Sequence, residues 1–415
     1  MEETYMLVGI IGGGIGGLTL AQALREANIN VIVFERDQKP TQTGGYRLHL
    51  HRDALNALRK VLPQKLMEAL LSSGTGKESF TKFSLLDHHG NTKLSFPVEE
   101  EEVLILMIGR VPLRTILASN LDHIIHWNTA FSHYEEKKDQ VVVHFSNRES
   151  VEVDVLVGAD GVHSAVANQL LGKKSAKSAD TAAIAGKVPL TLEVKKLLPN
   201  DLFHGPAFAI GPKGIGMFLT VHNQLKSTGN ELAQNESPYV VWSVGAPSSF
   251  FHNKLSSQEL QNEALSLISK WNNCYQKLVS LSPAQNIAFF HFYFPAALEP
   301  WRNSKVTVIG DAIHPMPPTG GVGASTAIID AVNLAQNLAN RDQISLALKA
   351  YQSEMLHYAP QAVDEARPPL FWQRRFANPV IRTFAMSCFL PLAHQSMMIK
   401  DRFRRKKTKE KKAAN

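Results

Sequence analysis

Two glycine-rich stretches carry the residues best suited to chemistry. In the first, Gly12-Gly13-Gly14-Ile15-Gly16-Gly17, glycines fill the three fixed positions of G-x-G-x-x-G at Gly12, Gly14 and Gly17. The first permits a tight turn, the second lets backbone approach a pyrophosphate, and the third lets a helix press on a strand. Ile15 and Gly16 fall between them, where helix-start N–H groups would face phosphate oxygens. Glu35 follows 18 residues after Gly17, and a carboxylate there can accept both hydroxyls of an adenosine ribose. These residues predict a bound ADP moiety and fit NAD and FAD equally. In the second stretch, Gly310-Asp311 is followed by Pro318, then by Gly321, Gly323, Ala324 and Ser325. Asp311 can bind a polyol hydroxyl. Gly321 and Gly323 let a flat ring lie on bare backbone, and the next helix N-terminus favours negative charge on that ring, as a reduced flavin requires.

The neighbouring pattern supplies elements to hold these residues. Val8–Ile11 reads as a buried strand, Leu18–Asn28 as a helix and Val31–Phe34 as a second strand ending at Glu35. Leu48 and Leu50 alternate with His49, so His49 is expected to face away from the core, beside Arg47. A helix over Arg52–Leu62 stops at Pro63, Phe83–Phe96 reads as a hairpin, and Glu99–Glu102 as a solvated acidic loop. Arg110 opens a helix with Pro112 in its first turn; from position alone it fits a cofactor contact and a surface cap equally. Val141–Phe145 and Val151–Val157 are predicted strands, the second running into Asp160-Gly161 with Ser164 as a helix cap. From residue 181 to 300, aromatic-rich alternating segments predict an antiparallel sheet: Ala207–Ile210, Gly216–Val221, Tyr239–Val244 and Ile287–Phe294. Its aromatics suit core filling or an apolar substrate wall. A helix over Gln258–Trp271, a strand Val306–Ile309 and a helix Ala327–Leu338 complete the reading.

Composition sets outer bounds. A chain of 415 residues with 44% hydrophobic and 20% charged residues reads as soluble, globular and large enough for two interleaved domains. No apolar run has the length of a clean transmembrane helix. Cys274 and Cys388 show no metal or redox spacing and are expected to be small buried hydrophobes in a reducing cytoplasm. No metal site is expected. The net charge of +7 resides in Lys400–Lys412, where nine Lys or Arg face only Asp401 and Glu410. The body is therefore neutral, which argues against nucleic-acid binding. Phe384–Ile399 is apolar and precedes that run; the pair fits either a packed helix with a solubilising tail or a weak peripheral membrane contact.

The opening glycine motif with Glu35, the Asp160-Gly161 turn and the Gly310-Asp311 stretch, in this order, resemble the group A FAD-dependent aromatic monooxygenases. That is the para-hydroxybenzoate hydroxylase class, which includes tetracycline-inactivating hydroxylases. The match is clear over 8–180 and 285–365 and diffuse over 181–285. The resemblance implies an α/β fold: a Rossmann-like FAD-binding domain with a parallel sheet (1–75, 103–180 and 285–365), an inserted, mostly antiparallel substrate domain (76–102 and 181–284), C-terminal helices (366–400) and a basic tail without fixed structure (401–415). It implies that Glu35 holds the adenosine ribose, Arg36 lies by the adenine or its ribose, and Arg110 touches the ribityl or phosphate part. Asp160, Gly310 and Asp311 would bind FAD, while Pro318 and Gly321–Ser325, with Gly323 and Ala324, border the isoalloxazine. Arg47 and His49 fall where family members contact flavin or nicotinamide.

The activity so implied is NAD(P)H- and O2-dependent hydroxylation or epoxidation through a flavin C4a-hydroperoxide, by a monomer or weak dimer. Its substrate would be an apolar aromatic, polyketide-like or terpenoid molecule. No side chain is assigned as a catalytic base, and His204, His291 and His314 are read as structural. Two positions depart from the family pattern: Ala167 stands where an arginine is usual, and Ser325 where asparagine is usual. A related FAD-dependent reductase, cyclase or halogenase is the alternative, although W-x-W-x-I-P of halogenases is absent. A flavin-binding protein without turnover is the further one.

Overall fold

Val8 and Ile10 are fully buried, and β-branched residues suit a strand packed on both faces. Leu7–Ile11 accordingly forms the middle of a five-stranded sheet. The computed structural model describes residues 6–75, 80–97, 105–224, 230–252, 254–302 and 304–395. In strand order, this sheet contains Val306–Val308, Val155–Gly158, Leu7–Ile11, Asn30–Phe34 and Ile125–His126, all parallel. Register places Phe34, Ile11, Gly158 and Val308 at one level. The chain therefore leaves this sheet at one edge through Glu35, Gly12, Ala159-Asp160 and Ile309-Gly310. The carboxyl edge of a parallel sheet is where such folds bind ligands.

Several expected boundaries move. The opening helix is Ile15–Glu26, so the glycine motif itself forms its first turn. The helix expected from Ala327 begins at Gly323 and runs to Ala339. The single strand expected over Val151–Val157 is two, Val151–Val153 and Val155–Gly158, in different sheets. Asp154 makes the break: its carboxylate accepts the Leu7 N–H at 2.7 Å while the chain changes sheet.

A seven-stranded sheet stands apart. Its order is Ile287–Pro295, Ala176–Pro189, Tyr239–Pro247, Gly216–His222, Ala207–Ile210, Lys82–Asp87 and Thr92–Pro97. All pairs are antiparallel except Ala207–Ile210 with Lys82–Asp87. The expected hairpin and four expected sheet segments are present. Ala176–Pro189, the 14-residue strand beside the edge, is a further one. Its alanines and glycine have low strand propensity, and it runs across the expected domain border at residue 180.

Helices Ser257–Leu267 and Asn273–Ser280 cover one face of this sheet, packing on fully buried Trp242. Trp242 also donates to Ser282 Oγ at 2.7 Å. The opposite face turns toward the parallel domain and the C-terminal helices. A small sheet, Arg47–Leu50, Leu106–Gly109 and Gly74–Thr75, lies between. Glu99–Glu102 and the basic tail lie outside the described residues. Cys274 is half-buried and Cys388 exposed, not the two buried hydrophobes expected. Cys388 lies on the outer side of a helix whose inner side packs on the body.

Candidate functional site

At the first glycine motif, geometry explains the residue types. Gly12 has φ +107°, and a Cβ there would meet the Ala159 carbonyl oxygen at 2.3 Å. A Cβ on Gly17 would lie 2.0 Å from Gly12 O. Gly16 backs onto Ala327 Cβ at 3.4 Å, which lets the two glycine-started helices pack closely. Around Gly14 nothing lies within 4 Å of a Cβ position. Its helix has neither a side-chain cap nor an acidic residue in its first turn, so the first N–H groups, Ile15 included, present an open anion site.

Glu35 is buried beside this turn. Its Oε2 accepts the Gly13 N–H at 2.6 Å and pairs with Arg114 at 3.1 Å, while Oε1 accepts the Asp37 N–H at 2.8 Å. A carboxylate has about four acceptor positions, so Oε1 keeps one for a ribose hydroxyl. Arg36 points to the exterior. Arg114, outside the residues predicted for the site, ties the corner together. It is buried and reaches Gly13 O at 2.7 Å and Asp37 Oδ2 at 2.7 Å as well as Glu35. Its place one turn after Arg110 was the available signal.

Arg110 is the first residue of its helix, and its N–H donates to Tyr46 O at 2.7 Å. Its side chain lies along Gly45, 3.1 Å from a Cβ position there. Burial lowers the guanidinium pKa, and the Asp311 charge counters this. Arg110 Nε is buried with no hydrogen-bond partner, which leaves a cationic donor available beside Asp311. Asp311 is exposed on the turn, with protein packed around it. Enclosure raises its pKa, while His314 and Arg110 oppose the rise. Asp160 takes a different part. Its carboxylate accepts from Ser164 Oγ and from the N–H groups of Ala165 (2.8 Å) and Val166 (3.3 Å). It fixes the start of the next helix, where Ser164 also caps Ala167 N–H as expected. Ala167 is fully buried, so the position where an arginine is usual points into the core here.

The Gly310 turn rests on three linked side chains, Asp330, His314 and Tyr358. Gly310 has φ +62°, and its N–H donates to Asp330 Oδ2 at 2.7 Å. The same oxygen receives His314 Nε2 at 2.6 Å, and Oδ1 receives the Tyr358 hydroxyl at 2.6 Å. Asp330 and His314 are both fully buried, and His314 Nδ1 is left without a hydrogen-bond partner. His204 and His291 lie at the surface.

Beyond a short turn, Pro318–Gly320, Gly321 adopts φ +67°, and a Cβ there would stand 3.2 Å from His49 Nδ1. Gly323 opens its helix, with its Cβ position 3.4 Å from Met316 Cγ and 4.0 Å from Asp311 Oδ1. Ala324 is half-buried in the first turn. Ser325 is buried, and its hydroxyl accepts His51 N–H at 3.1 Å and donates to His49 O at 3.3 Å, joining this helix to the His49 strand. Burial first, then the charges of Arg47 and His51, push the His49 pKa down to about 3. A neutral imidazole therefore borders Gly321 near pH 7.

Arg47 points elsewhere. Its guanidinium reaches Thr220 Oγ1 and Thr75 Oγ1 at 3.0 Å each and Val221 O, against the seven-stranded sheet. Burial brings its pKa down to about 10. On the same side of that sheet, register aligns Ala185, Ser243, Phe218 and Phe208 in one row, with Ala183 opposite Phe290. Small side chains thus occupy the middle and aromatic ones flank them. Tyr46 OH meets Ala185 O at 2.7 Å on one side, and Gln373 Nε2 donates to Gly245 O at 3.0 Å on the other. The result is an apolar strip between the glycine bed and the C-terminal helices.

Comparisons with known proteins identify the family and the fold. Residues 5–366 match the family described as FAD binding domain. The FAD-dependent monooxygenase thnD of Trichoderma harzianum is 28% identical over 388 residues, covering 87% of this chain and 92% of that protein. A dual O-methyltransferase/FAD-dependent monooxygenase of Cercospora beticola is 28% identical over 361 residues, 79% of this chain, and the match spans only 41% of that protein. Among solved structures, Klebsiella pneumoniae HpxO complexed with FAD and uric acid superposes with TM-score 0.76 at 20% identity, covering 95% of each chain.

Proposed function

The chain belongs to the FAD binding domain family, and from that premise we propose that it is an FAD-dependent monooxygenase acting with NAD(P)H and O2 on an apolar small molecule. The observation that carries this reading is the meeting of four strand ends at one sheet edge, joined to the second sheet by Met316, which lies beside Gly323 and packs with Ala183, Phe290 and Phe292.

The residues fit the cofactor. Gly12, Gly14, Ile15, Gly16 and Gly17 leave an uncapped helix start for the pyrophosphate. Glu35 keeps an acceptor position for the adenosine ribose, with Arg36 at the outer side. Arg110, with its buried unpartnered Nε, and Asp311 are suited to the phosphate and ribityl part. Pro318, Gly321, Gly323, Ala324 and Ser325 form a bed of bare backbone at a helix N-terminus, where negative charge is favoured. Asp160 and Gly310 act through the turns they hold.

When bound, FAD supplies the electron transfer from nicotinamide and the oxygen activation that side chains cannot provide. The protein's part is to bind, orient and exclude water. Neutral His49 beside Gly321 presents no positive charge of its own to a docking nicotinamide. Arg47 braces the substrate sheet. The small-to-aromatic strip around Ser243, Phe218 and Phe290 admits a flat apolar substrate and offers few polar groups to water.

Turnover under 18O2 with FAD-loaded protein, NADH or NADPH and a panel of polycyclic phenols and quinolones tests the proposal. A product carrying one 18O atom supports it. NAD(P)H oxidation that reduces a panel compound without incorporating label would replace it with a reductase.

A further inference from the structure

The C-terminal helical segment carries an outer surface that nothing in its own packing accounts for. Pro379–Phe384 continues through a widened turn, Ala385–Phe389, into helix that extends to residue 395. Pro391 lacks an N–H and cannot complete a regular helix there, which matches the widened turn just before it. The inner side is fully used. Ala385, Met386 and Leu390 are buried with Phe376, Leu94 and Ile210, and His394 Nδ1 accepts the Ser95 N–H at 3.3 Å.

A surface helix with its apolar side so occupied normally presents polar residues outward. This one repeats apolar residues every fourth position instead: Val380 (75% exposed), Phe384 (64%), Cys388 and Leu392 (65%), joined by Phe389 (60%). The preceding helix, Arg367–Arg375, adds Phe371 and Trp372, each about half exposed. Isolated exposed apolar residues need no explanation, but a contiguous row marks an interaction surface.

Charge identifies the occupant. The sequence immediately after this segment places nine Lys or Arg between positions 400 and 412, the whole net charge of the chain. A second copy of the chain would bring a basic run of the same sign. No single described helix is long and apolar enough to cross a membrane; Ile344–Arg375 and Pro379–Gln395 reach that length only together, across a 106° bend. We propose that the row Val380, Phe384, Cys388 and Leu392, with the basic run after it, docks the protein peripherally on an anionic lipid bilayer. Apolar side chains enter the headgroup boundary while lysines and arginines meet anionic lipid. The inner side of the same helices packs on the substrate sheet, so docking would bring the apolar strip close to lipid-dissolved molecules.

Vesicle co-sedimentation of the full-length, FAD-loaded protein tests this. The vesicles are phosphatidylcholine alone or an equimolar mixture with phosphatidylglycerol. Wild type is expected to pellet with the anionic vesicles, release in high salt and stay in solution with the neutral ones. The pair Phe384→Glu and Leu392→Glu is expected to weaken binding at least about a hundred-fold, with unchanged FAD content and denaturation midpoint. Truncation before Lys400 is expected to remove the preference for anionic lipid. Equal binding to both vesicle types, or wild-type binding by the double variant, overturns the proposal. So does a lipid-free dimer in sedimentation equilibrium that Phe384→Glu dissociates, because the row is then a contact between copies.

Discussion

Asp330→Ala removes the acceptor on which the Gly310 turn rests. Three donors lose their partner: Gly310 N–H (2.7 Å), His314 Nε2 (2.6 Å) and the Tyr358 hydroxyl (2.6 Å). Tyr358 is half-exposed and can turn to water, whereas His314 is fully buried and the Gly310 N–H lies among buried residues. Each stranded buried donor costs roughly 1–3 kcal/mol, and breaking a buried charged pair by deleting one partner costs roughly 3–5 kcal/mol. The expected loss is about 4 kcal/mol, or, for a chain of 415 residues, a Tm lower by about 5 °C.

The same change releases Gly310 from its φ +62° turn and with it Asp311, so FAD is expected to bind less tightly. Asp330→Asn keeps the shape and removes the charge, and should lie between. Burial alone would lower the His314 pKa, but the charge and hydrogen bond of Asp330 and the charge of Asp311 outweigh it, so the net shift is upward. A raised folded-state pKa stabilises fully below the unfolded value of 6.5, and that contribution is lost as pH rises through the folded value. Wild-type stability should therefore fall with pH above neutrality by a component that Asp330→Asn lacks. Urea denaturation across pH, with flavin fluorescence on the same samples, measures both effects. An alanine variant within about 1 kcal/mol of wild type, with the same pH profile, would refute the argument.

Three further outcomes follow from the first glycine motif and its neighbour. Gly17→Ala places a Cβ 2.0 Å from Gly12 O, a backbone atom that cannot yield, and is expected to cost about 1–3 kcal/mol and to give protein purified without flavin absorbance. Gly14→Ala meets open space and should keep the fold while weakening FAD retention; equal flavin content in both variants would contradict the assigned roles. Arg114→Ala strips the buried cation that joins Glu35, Asp37 and Gly13. Titration with FAD is expected to show at least about a ten-fold weaker Kd, partly restored by lysine. Unchanged affinity would mean that the Gly13 and Asp37 N–H groups position Glu35 without it.

The sequence by itself determined whatever depends on local spacing. The glycine positions at 12, 14 and 17, the acid at 35 and the Gly310-Asp311 stretch each specify a strand end, a turn and a helix start within a short span, because backbone approach and helix-end charge are local properties. Alternation likewise disclosed the aromatic strands and the 82–97 hairpin. It failed for Ala176–Pro189, whose small residues carry little propensity and become a strand only because neighbours on both sides pair with them.

Tertiary structure alone decided the rest. The level register of Phe34, Ile11, Gly158 and Val308 brings distant motifs to one edge. A fold turned Arg47 toward Thr220, gave Arg114 to Glu35, and joined buried Asp330 and His314 to half-exposed Tyr358. It also decided which side of the C-terminal helix was used for packing and which was left facing out. These are relations between residues far apart in the chain, set by long-range packing and register. Periodicity in one segment states that a side will be buried; only the assembled fold states against what.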